Sequence, residues 1–168
     1  LPQCDLCIMS PERCHFDAGT CRDEAWGQAF CMQPHIVYLA NSSGLKVGIT
    51  RVNQMPTRWL DQGASQAMPI MQVATRKLSG QVETVLKQYV ADKTNWRKLL
   101  QADAQTIDLV QAADALLNEA ESDLEVLLGG LNHQDYQWLD TLPISMRYPV
   151  IEYPSKIKSH NLDKEPVL

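Results

Sequence analysis

All five cysteines of the chain lie within its first 31 residues. Cys4 and Cys7 are separated by two residues, a spacing at which two thiolates from a tight turn reach one tetrahedral zinc ion. The cysteines that follow supply the other half of such a site. We therefore predict a structural zinc site built by four of these residues, although the spacing does not select which four. The candidate ligands are Cys4, Cys7, Cys14, Cys21 and Cys31, with His15 as a substitute for one of them.

The surroundings of these cysteines favour structural zinc over the alternatives. Segment 1–34 is poor in aliphatic residues, and its Pro and Gly interrupt any helical period, so we expect a metal to fold it. A secreted disulfide scaffold is disfavoured by the odd number of cysteines and the long cysteine-free remainder. A redox-active CxxC normally opens a helix in a βαβ unit, which is absent here. A cysteine-dominated site also leaves no open position for a catalytic water.

The charges of the chain are segregated along its length. The formal net charge is −5, yet residues 46–98 hold nine basic and three acidic side chains, and the segments on either side are acidic in balance. This distribution is typical of a protein in which one segment meets a polyanion. The alternative is that these are solvated faces whose signs segregate by chance. A chain that is basic throughout, as in many nucleic-acid binders, is excluded.

The sequence also bounds where the protein acts. No apolar run approaches the roughly 20 residues that a membrane helix needs, which excludes a membrane-spanning protein. The first residues lack the basic start and apolar stretch of a secretory signal. We therefore expect a cytoplasmic protein. The sequence does not begin with Met, so we expect it to be a piece of a longer protein.

The basic segment begins with a predicted β-hairpin. Residues 35–40 are rich in β-forming side chains, and residues 45–50 alternate apolar with polar or small ones, so two strands are expected around a turn. Gly48, inside the second strand, indicates a bulge or a close approach by a ligand. Pro56 suits the first turn of a short helix that carries Arg58.

Alternating side chains over residues 69–77 predict a third strand, and helical spacing predicts a long helix over 79–92. Shorter helices are expected at 95–100, 106–117 and 119–128, and an extended segment at 143–157. The predicted fold class is α+β, with a small three-stranded, mostly antiparallel sheet flanked by helices. Four parts are expected: a zinc-binding knuckle (1–34), an α/β core (35–100), a helical appendage (101–142) and an extended C-terminal segment (143–168).

Residues 35–98 resemble the GIY-YIG endonuclease superfamily. The residues that carry the resemblance are Ile36-Val37-Tyr38 on the first strand, Lys46-Val47-Gly48-Ile49-Thr50 on the second, Arg58 on the next helix and Glu83 on the long helix. The sequence departs from the family at Val47, where the second motif has Tyr. It also lacks a His after Arg58, where Gln62 is the nearest polar candidate for the same position.

This resemblance implies a catalytic set of Tyr38, Lys46, Arg58 and Glu83. In the family the tyrosine lies beside the scissile phosphate and the attacking water, the arginine stabilises the phosphorane charge, and the glutamate holds a divalent metal, usually Mg²⁺. Hydrolysis of a phosphodiester does require a positioned nucleophile, a cation on the developing charge and a metal. In the alternative interpretations, Tyr38 is a strand aromatic and Glu83 pairs with the lysine four residues on. The residues expected to contact nucleic acid are Arg51, Asn95 and Arg97.

The whole chain is similar to an uncharacterised bacterial and archaeal family, domain of unknown function 2797. The match is carried by motifs spread along the sequence, which supply no function. They include Cys4-x-x-Cys7, Gly19-Thr20-Cys21-Arg22, Pro56-Thr57-Arg58-Trp59 and Asp92-Lys93-Thr94-Asn95-Trp96-Arg97.

The leading hypothesis is a zinc-stabilised nucleic-acid-binding protein on a GIY-YIG-like scaffold, with DNA or RNA as its partner. Mg²⁺-dependent endonuclease activity is a further hypothesis within it. The alternative is a catalytically silent interaction module that binds a protein or a ribonucleoprotein, which the missing second Tyr favours.

Overall fold

A computed structural model of the chain describes residues 2–90, 105–150, 152 and 154, with side chains from Leu6 onward. The described residues form one five-stranded sheet in which every pairing is antiparallel. The strand order is β2-β1-β3-β4, and β5 pairs with another stretch of β3. The strands are β1 (His35–Asn41), β2 (Leu45–Arg51), β3 (Gln66–Val73), β4 (Tyr136–Trp138) and β5 (Ile144–Ser145).

Helices occur both before and after the hairpin in the sequence. They are α1 (Pro2–Met9), α2 (Glu24–Phe30), α3 (Thr57–Asp61), α4 (Arg76–Leu86), α5 (Leu109–Glu119) and α6 (Glu121–Leu128). Short 3-10 helices cover Pro11–Arg13, Phe16–Ala18 and Val52–Gln54. Among the described residues, no helix is long and apolar enough to cross a membrane.

The α+β class and the antiparallel hairpin are confirmed, since both hairpin strands extend only one residue beyond the predicted bounds. The third strand was predicted wrongly. It spans Gln66–Val73 instead of 69–77. Its pairing with β1 extends back to Gln66, and it ends earlier because the Thr75 hydroxyl accepts a hydrogen bond from the Leu78 N–H and begins α4 there. The predicted helix over 79–92 accordingly begins at Arg76 and ends at Leu86.

Two further predictions need correction. The sheet has five described strands instead of three, because β4 and β5 come from segments predicted as a helical appendage and an extended tail. The sheet therefore crosses the boundaries expected at 100 and 142. The first 34 residues also contain helical structure that their Pro and Gly content argued against. In particular, the Asp23 carboxylate accepts a hydrogen bond from the Trp26 N–H at 2.8 Å and caps α2.

The side chains of β1 divide between two cores. Val37 and Leu39 pack in the larger core with apolar side chains of α4, α5 and α6. Tyr38, on the other face of β1, packs in a smaller core with Trp59 of α3, and the two rings meet edge to face at 5.9 Å. Because β1 is buried on both faces, it fixes the sheet between α3 and the α4–α6 layer.

The cysteine-rich segment is fastened to α4. The Arg76 guanidinium donates hydrogen bonds to the carbonyls of Cys7 and Ile8 at 2.8 and 2.9 Å, and the Arg76 N–H donates to the Cys31 carbonyl at 2.9 Å. Gly80 lies so close to the first 3-10 helix that a Cβ there would be 2.6 Å from Pro11 Cβ. The two ends of the cysteine-rich segment therefore meet at the start of one helix.

Candidate functional site

A cavity of about 810 Å³ runs along β2, at one end of the strand order. Residues 46–51 of β2 line it, with side chains from α3 on one side and from α4 on the other. We call it the β2-edge cavity. Its charged and amide side chains include Lys46, Arg51, Arg58, Gln62, Glu83 and Lys87.

Gly48 lines the cavity, and Tyr38 faces it across the hairpin. We call Gly48 and the Tyr38 ring behind it the cavity floor. A Cβ at Gly48 would lie 2.6 Å from both Cζ and Oη of Tyr38. The close approach predicted at Gly48 is thus made by a tyrosine ring of the same protein. Tyr38 itself is fully buried, and its hydroxyl donates a 2.7 Å hydrogen bond to Oε1 of Gln62.

The electrostatics of Tyr38 bring three predicted residues together. Burial raises the pKa of Tyr38 to about 12; the Arg58 guanidinium opposes this increase, and the Glu83 carboxylate adds to it. The Arg58 guanidinium also hydrogen-bonds the phenol, which lowers its pKa in part. The side chains of Arg58 and Glu83 are therefore both within electrostatic range of Tyr38. At neutral pH the phenol is protonated and can donate a hydrogen bond but cannot act as a base.

Glu83 also forms the helical ion pair described as its alternative role. Its carboxylate lies 3.3 Å from Nζ of Lys87, and only 14% of the Glu83 side chain is exposed. A carboxylate that lines a cavity can serve as a ligand for Mg²⁺, which takes one or two protein carboxylates and completes its shell with water and phosphate. A metal bound there would compete with Lys87 for the same oxygen atoms.

The cations on β2 differ in their surroundings. Lys46 and Arg51 both line the β2-edge cavity. The Arg51 Nε donates to Oε1 of Gln54 at 3.2 Å, and its guanidinium carbon lies 5.0 Å from the centre of the Phe30 ring. Arg51 is therefore held over an aromatic ring of the cysteine-rich segment.

His35 lies in the same cavity wall but adds no positive charge at neutral pH. Burial lowers its pKa, the hydrogen bond between its Nδ1 and the Gln33 carbonyl at 2.7 Å opposes the shift, and Arg76 and Arg51 lower the pKa further. The cationic character of the cavity therefore comes from Lys and Arg.

Two predicted residues, Asn95 and Arg97, lie outside the described residues. Residues of the cavity wall that sequence reasoning did not assign to the site include Trp26, Phe30 and Arg76. Trp26 and Phe30 are four residues apart, and the helical spacing was the available signal. Arg76 was assigned to a strand face because the start of α4 was misplaced.

The cysteines fall into two groups. Cys14 and Cys31 are buried and outside any disulfide. Burial raises the pKa of Cys31, the Arg76 guanidinium lowers it, and the Cys14 and Cys7 thiols raise it again, so three thiols lie within electrostatic range. Cys21 is not among the groups that shift the pKa of Cys31. Its thiol donates a hydrogen bond to the Asp23 carbonyl at 3.3 Å.

The described Cys and His side chains of this segment do not form a complete metal site. Within the described side chains, which exclude Cys4, no three His, Cys, Asp or Glu form a group that could hold a metal ion. His15 bonds Thr20 Oγ1 through Nδ1 at 2.8 Å, and its buried Nε2 has no hydrogen-bond partner in the described part of the chain. Its Nε2 is thus a donor atom suited to a metal.

Comparison with known proteins identifies a family and no activity. The model of a family described as protein of unknown function (DUF2797) matches residues 1–168. No curated protein and no solved structure matches the chain.

Proposed function

Because the chain belongs to the DUF2797 family, whose description gives no function, we propose from its geometry that it binds nucleic acid by the phosphates in the β2-edge cavity. The observation that carries the proposal is the charge of this cavity. Five Lys and Arg side chains line it against two carboxylates, in a protein whose net charge is −5. The cations there are Lys46, Arg51, Arg58, Arg76 and Lys87.

The shape of the cavity favours a polyanion over a small anion. Residues 46–51 contribute to its wall along nearly the whole of β2, a length of about 20 Å at the rise of a β-strand. Several consecutive phosphates fit along such a wall, whereas a single phosphate would engage only one or two of the cations. Clustered cations with this extent give the salt-dependent affinity typical of nucleic-acid binding.

The scaffold we propose is GIY-YIG-like. In support, the chain order of hairpin, short helix, strand and longer helix puts Tyr38 on β1, Arg58 on α3 and Glu83 on α4. Arg58 and Glu83 line the same cavity along β2, and each influences the buried Tyr38 electrostatically.

Fluorescence anisotropy with labelled single- and double-stranded DNA and RNA tests the binding proposal. We expect affinity to fall at least tenfold between about 50 and 200 mM salt, and Arg58→Ala to weaken binding and reduce the salt slope by about one. The matched control is Arg147→Ala, an exposed arginine that does not line the cavity. An equal loss in both variants, or no binding at low salt, contradicts the proposal.

A second candidate function is cleavage of the bound phosphodiester, favoured by the proximity of Arg58, Glu83 and Tyr38. Glu83 would hold Mg²⁺, which when bound supplies Lewis-acid stabilisation of the phosphoryl oxygens. Arg58 would stabilise the same charge, and the Gln62 amide would orient the attacking water. Tyr38, buried and protonated, would act by holding Gln62 in place. Its role would be positioning, because a phenol with a pKa near 12 does not take up the proton of water at pH 7.

Incubation of oligonucleotides with Mg²⁺ separates cleavage from binding alone. We expect Glu83→Gln to reduce cleavage at least about 100-fold while keeping binding within a few-fold, because it removes a carboxylate without a change of size. Glu125→Gln, purified in the same way, controls for the charge change and for contaminating nucleases. Binding without cleavage by the wild type would leave nucleic-acid binding as the proposed function and would exclude cleavage.

For the cysteine-rich segment we propose a structural zinc ion held by Cys7, Cys14 and Cys31, with Cys4 as the fourth ligand. This proposal is supported by the electrostatic influence of Cys7 and Cys14 on Cys31 and by the burial of Cys14 and Cys31. Metal analysis should give one zinc per chain, lost in Cys31→Ser and kept in Cys21→Ser. Retention of zinc in Cys31→Ser contradicts this ligand set, and loss of zinc in His15→Ala would assign the fourth position to His15 instead of Cys4.

A further inference from the structure

One wall of the β2-edge cavity is aromatic. Trp26 and Phe30 lie one turn apart on α2, with ring centroids 5.0 Å apart and planes inclined by 39°. Both are substantially exposed, Trp26 by 49% and Phe30 by 37%. Both line the same cavity as Lys46 and Arg58. We call these two rings the aromatic platform.

Arg51 contacts the aromatic platform and is also one of the cations that line the cavity. Its guanidinium lies over the Phe30 ring at 5.0 Å while its residue belongs to β2, whose other cation is Lys46. The cavity therefore presents apolar ring faces and fixed positive charges side by side. An apolar protein helix would match the rings but would bring hydrocarbon against Arg51. A nucleotide matches both, because its base is a flat ring and its phosphate is an anion.

We propose that the aromatic platform stacks an unpaired base of a single-stranded nucleic acid, whose phosphates lie along Lys46, Arg51 and Arg58. The inference deepens the proposed function and rests on it. Within a duplex the faces of each base are covered by its neighbours, so only an unstacked base can lie against an aromatic ring. The substrate class is therefore single-stranded DNA or RNA, or an unpaired region of a longer molecule.

An abasic oligonucleotide tests this directly, because it keeps the phosphates and lacks the bases. We expect the wild type to bind a single-stranded oligonucleotide about tenfold more tightly than an abasic strand of equal length. Trp26→Ala should abolish that difference without changing the affinity for the abasic strand, and Trp26→Phe should restore most of it. Trp138→Ala is the matched control, since this tryptophan is 44% exposed and lies outside the cavity.

The outcomes distinguish the two proposals. If the wild type binds both strands equally, or Trp26→Ala keeps the preference for bases, stacking is wrong while phosphate binding stands. If Trp26→Ala weakens binding of both strands equally, the tryptophan has a structural role and stacking is again wrong. If the wild type binds neither strand, the proposed function itself fails.

Discussion

The two ends of the strand order carry cavities of opposite character. The β2-edge cavity is lined by five cations and two carboxylates. At β4, a groove of about 610 Å³ is lined by Glu121, Glu125 and apolar side chains of α5, α6 and β4, and none of its lining residues in the described chain is Lys or Arg. We call it the acidic groove. The fold thus places cations at one end of the sheet and carboxylates at the other, a separation that the net charge of −5 does not reveal. The proposed function predicts that a polyanion is attracted to the first end and repelled from the second.

Charge reversal in each cavity should give the largest change in nucleic-acid affinity. Arg51→Glu/Arg58→Glu should lower nucleic-acid affinity by about 100-fold or more, because two phosphate contacts become repulsive. Glu121→Lys/Glu125→Lys shifts the net charge by the same amount in the opposite direction but should raise affinity less than tenfold. Binding isotherms at fixed salt measure both.

Exposed arginines provide the control for this experiment. Arg13→Glu/Arg147→Glu makes the same change in net charge outside the cavity. If it weakens binding as much as the cavity variant does, affinity follows total charge and the contrast between the two ends has no functional meaning.

The two regions also differ in how tightly a glycine is packed. Gly48→Ala should destabilise the protein by about 1–3 kcal/mol, because the new methyl group would lie 2.6 Å from the buried Tyr38 ring. Gly130→Ala, just after α6 near the acidic groove, has nothing within 4 Å of its Cβ and should change stability by less than about 0.5 kcal/mol. Urea unfolding measures both. Equal effects would mean that the Tyr38 ring readily moves away and that the cavity floor is not rigid.

The dependence of stability on alkaline pH tests whether the Tyr38 phenol of the cavity floor is buried. Tyr38 has a folded pKa of about 12, above its ordinary value of 10, so its contribution to stability is complete below pH 10 and is lost as the pH rises through 12. Tyr38→Phe should cost about 1 kcal/mol at pH 7 through the lost hydrogen bond to Gln62.

The difference between the wild type and Tyr38→Phe should shrink as the pH rises from 10 to 12, since the variant has no phenol to ionise. Tyr136→Phe, a half-buried tyrosine beside the acidic groove, is the control and should parallel the wild type. A wild-type curve parallel to that of Tyr38→Phe would contradict the burial of the phenol.

The hairpin was predictable because its signals are local. The β-forming side chains of 35–40, the turn and the alternation of 45–50 all describe neighbours in sequence. The ends of β3 were not, because the alternating pattern continues past Val73, and only the hydrogen bond from the Leu78 N–H to the Thr75 side chain decides where the helix begins. Strands β4 and β5, of three and two residues, exist through pairing with β3 and carry no pattern of their own.

The candidate site also contains residues that the sequence predicted and residues that it did not. Lys46, Arg58 and Glu83 were proposed through motif resemblance, and the fold brings them to one cavity. The aromatic platform was not inferred, because Trp26 and Phe30 belong to a segment predicted only as a zinc knuckle, and their helical spacing does not reveal the cavity that they line. Their position depends on Arg76, whose contacts to Cys7 and Cys31 fold that segment back onto α4.

The smallest expected effect concerns Lys87 and sharpens the role of Glu83. Lys87→Ala should reduce stability by no more than about 0.5 kcal/mol, the usual contribution of a partly exposed helical pair. It should raise Mg²⁺ affinity a few-fold, because a cation 3.3 Å from the carboxylate opposes a second one. Lys77→Ala breaks another α4 ion pair, to Asp17 at 2.9 Å, outside the cavity. Equal Mg²⁺ affinity in the two variants, measured by calorimetry, would show that Glu83 acts only as a structural partner and would remove the metal from the proposed site.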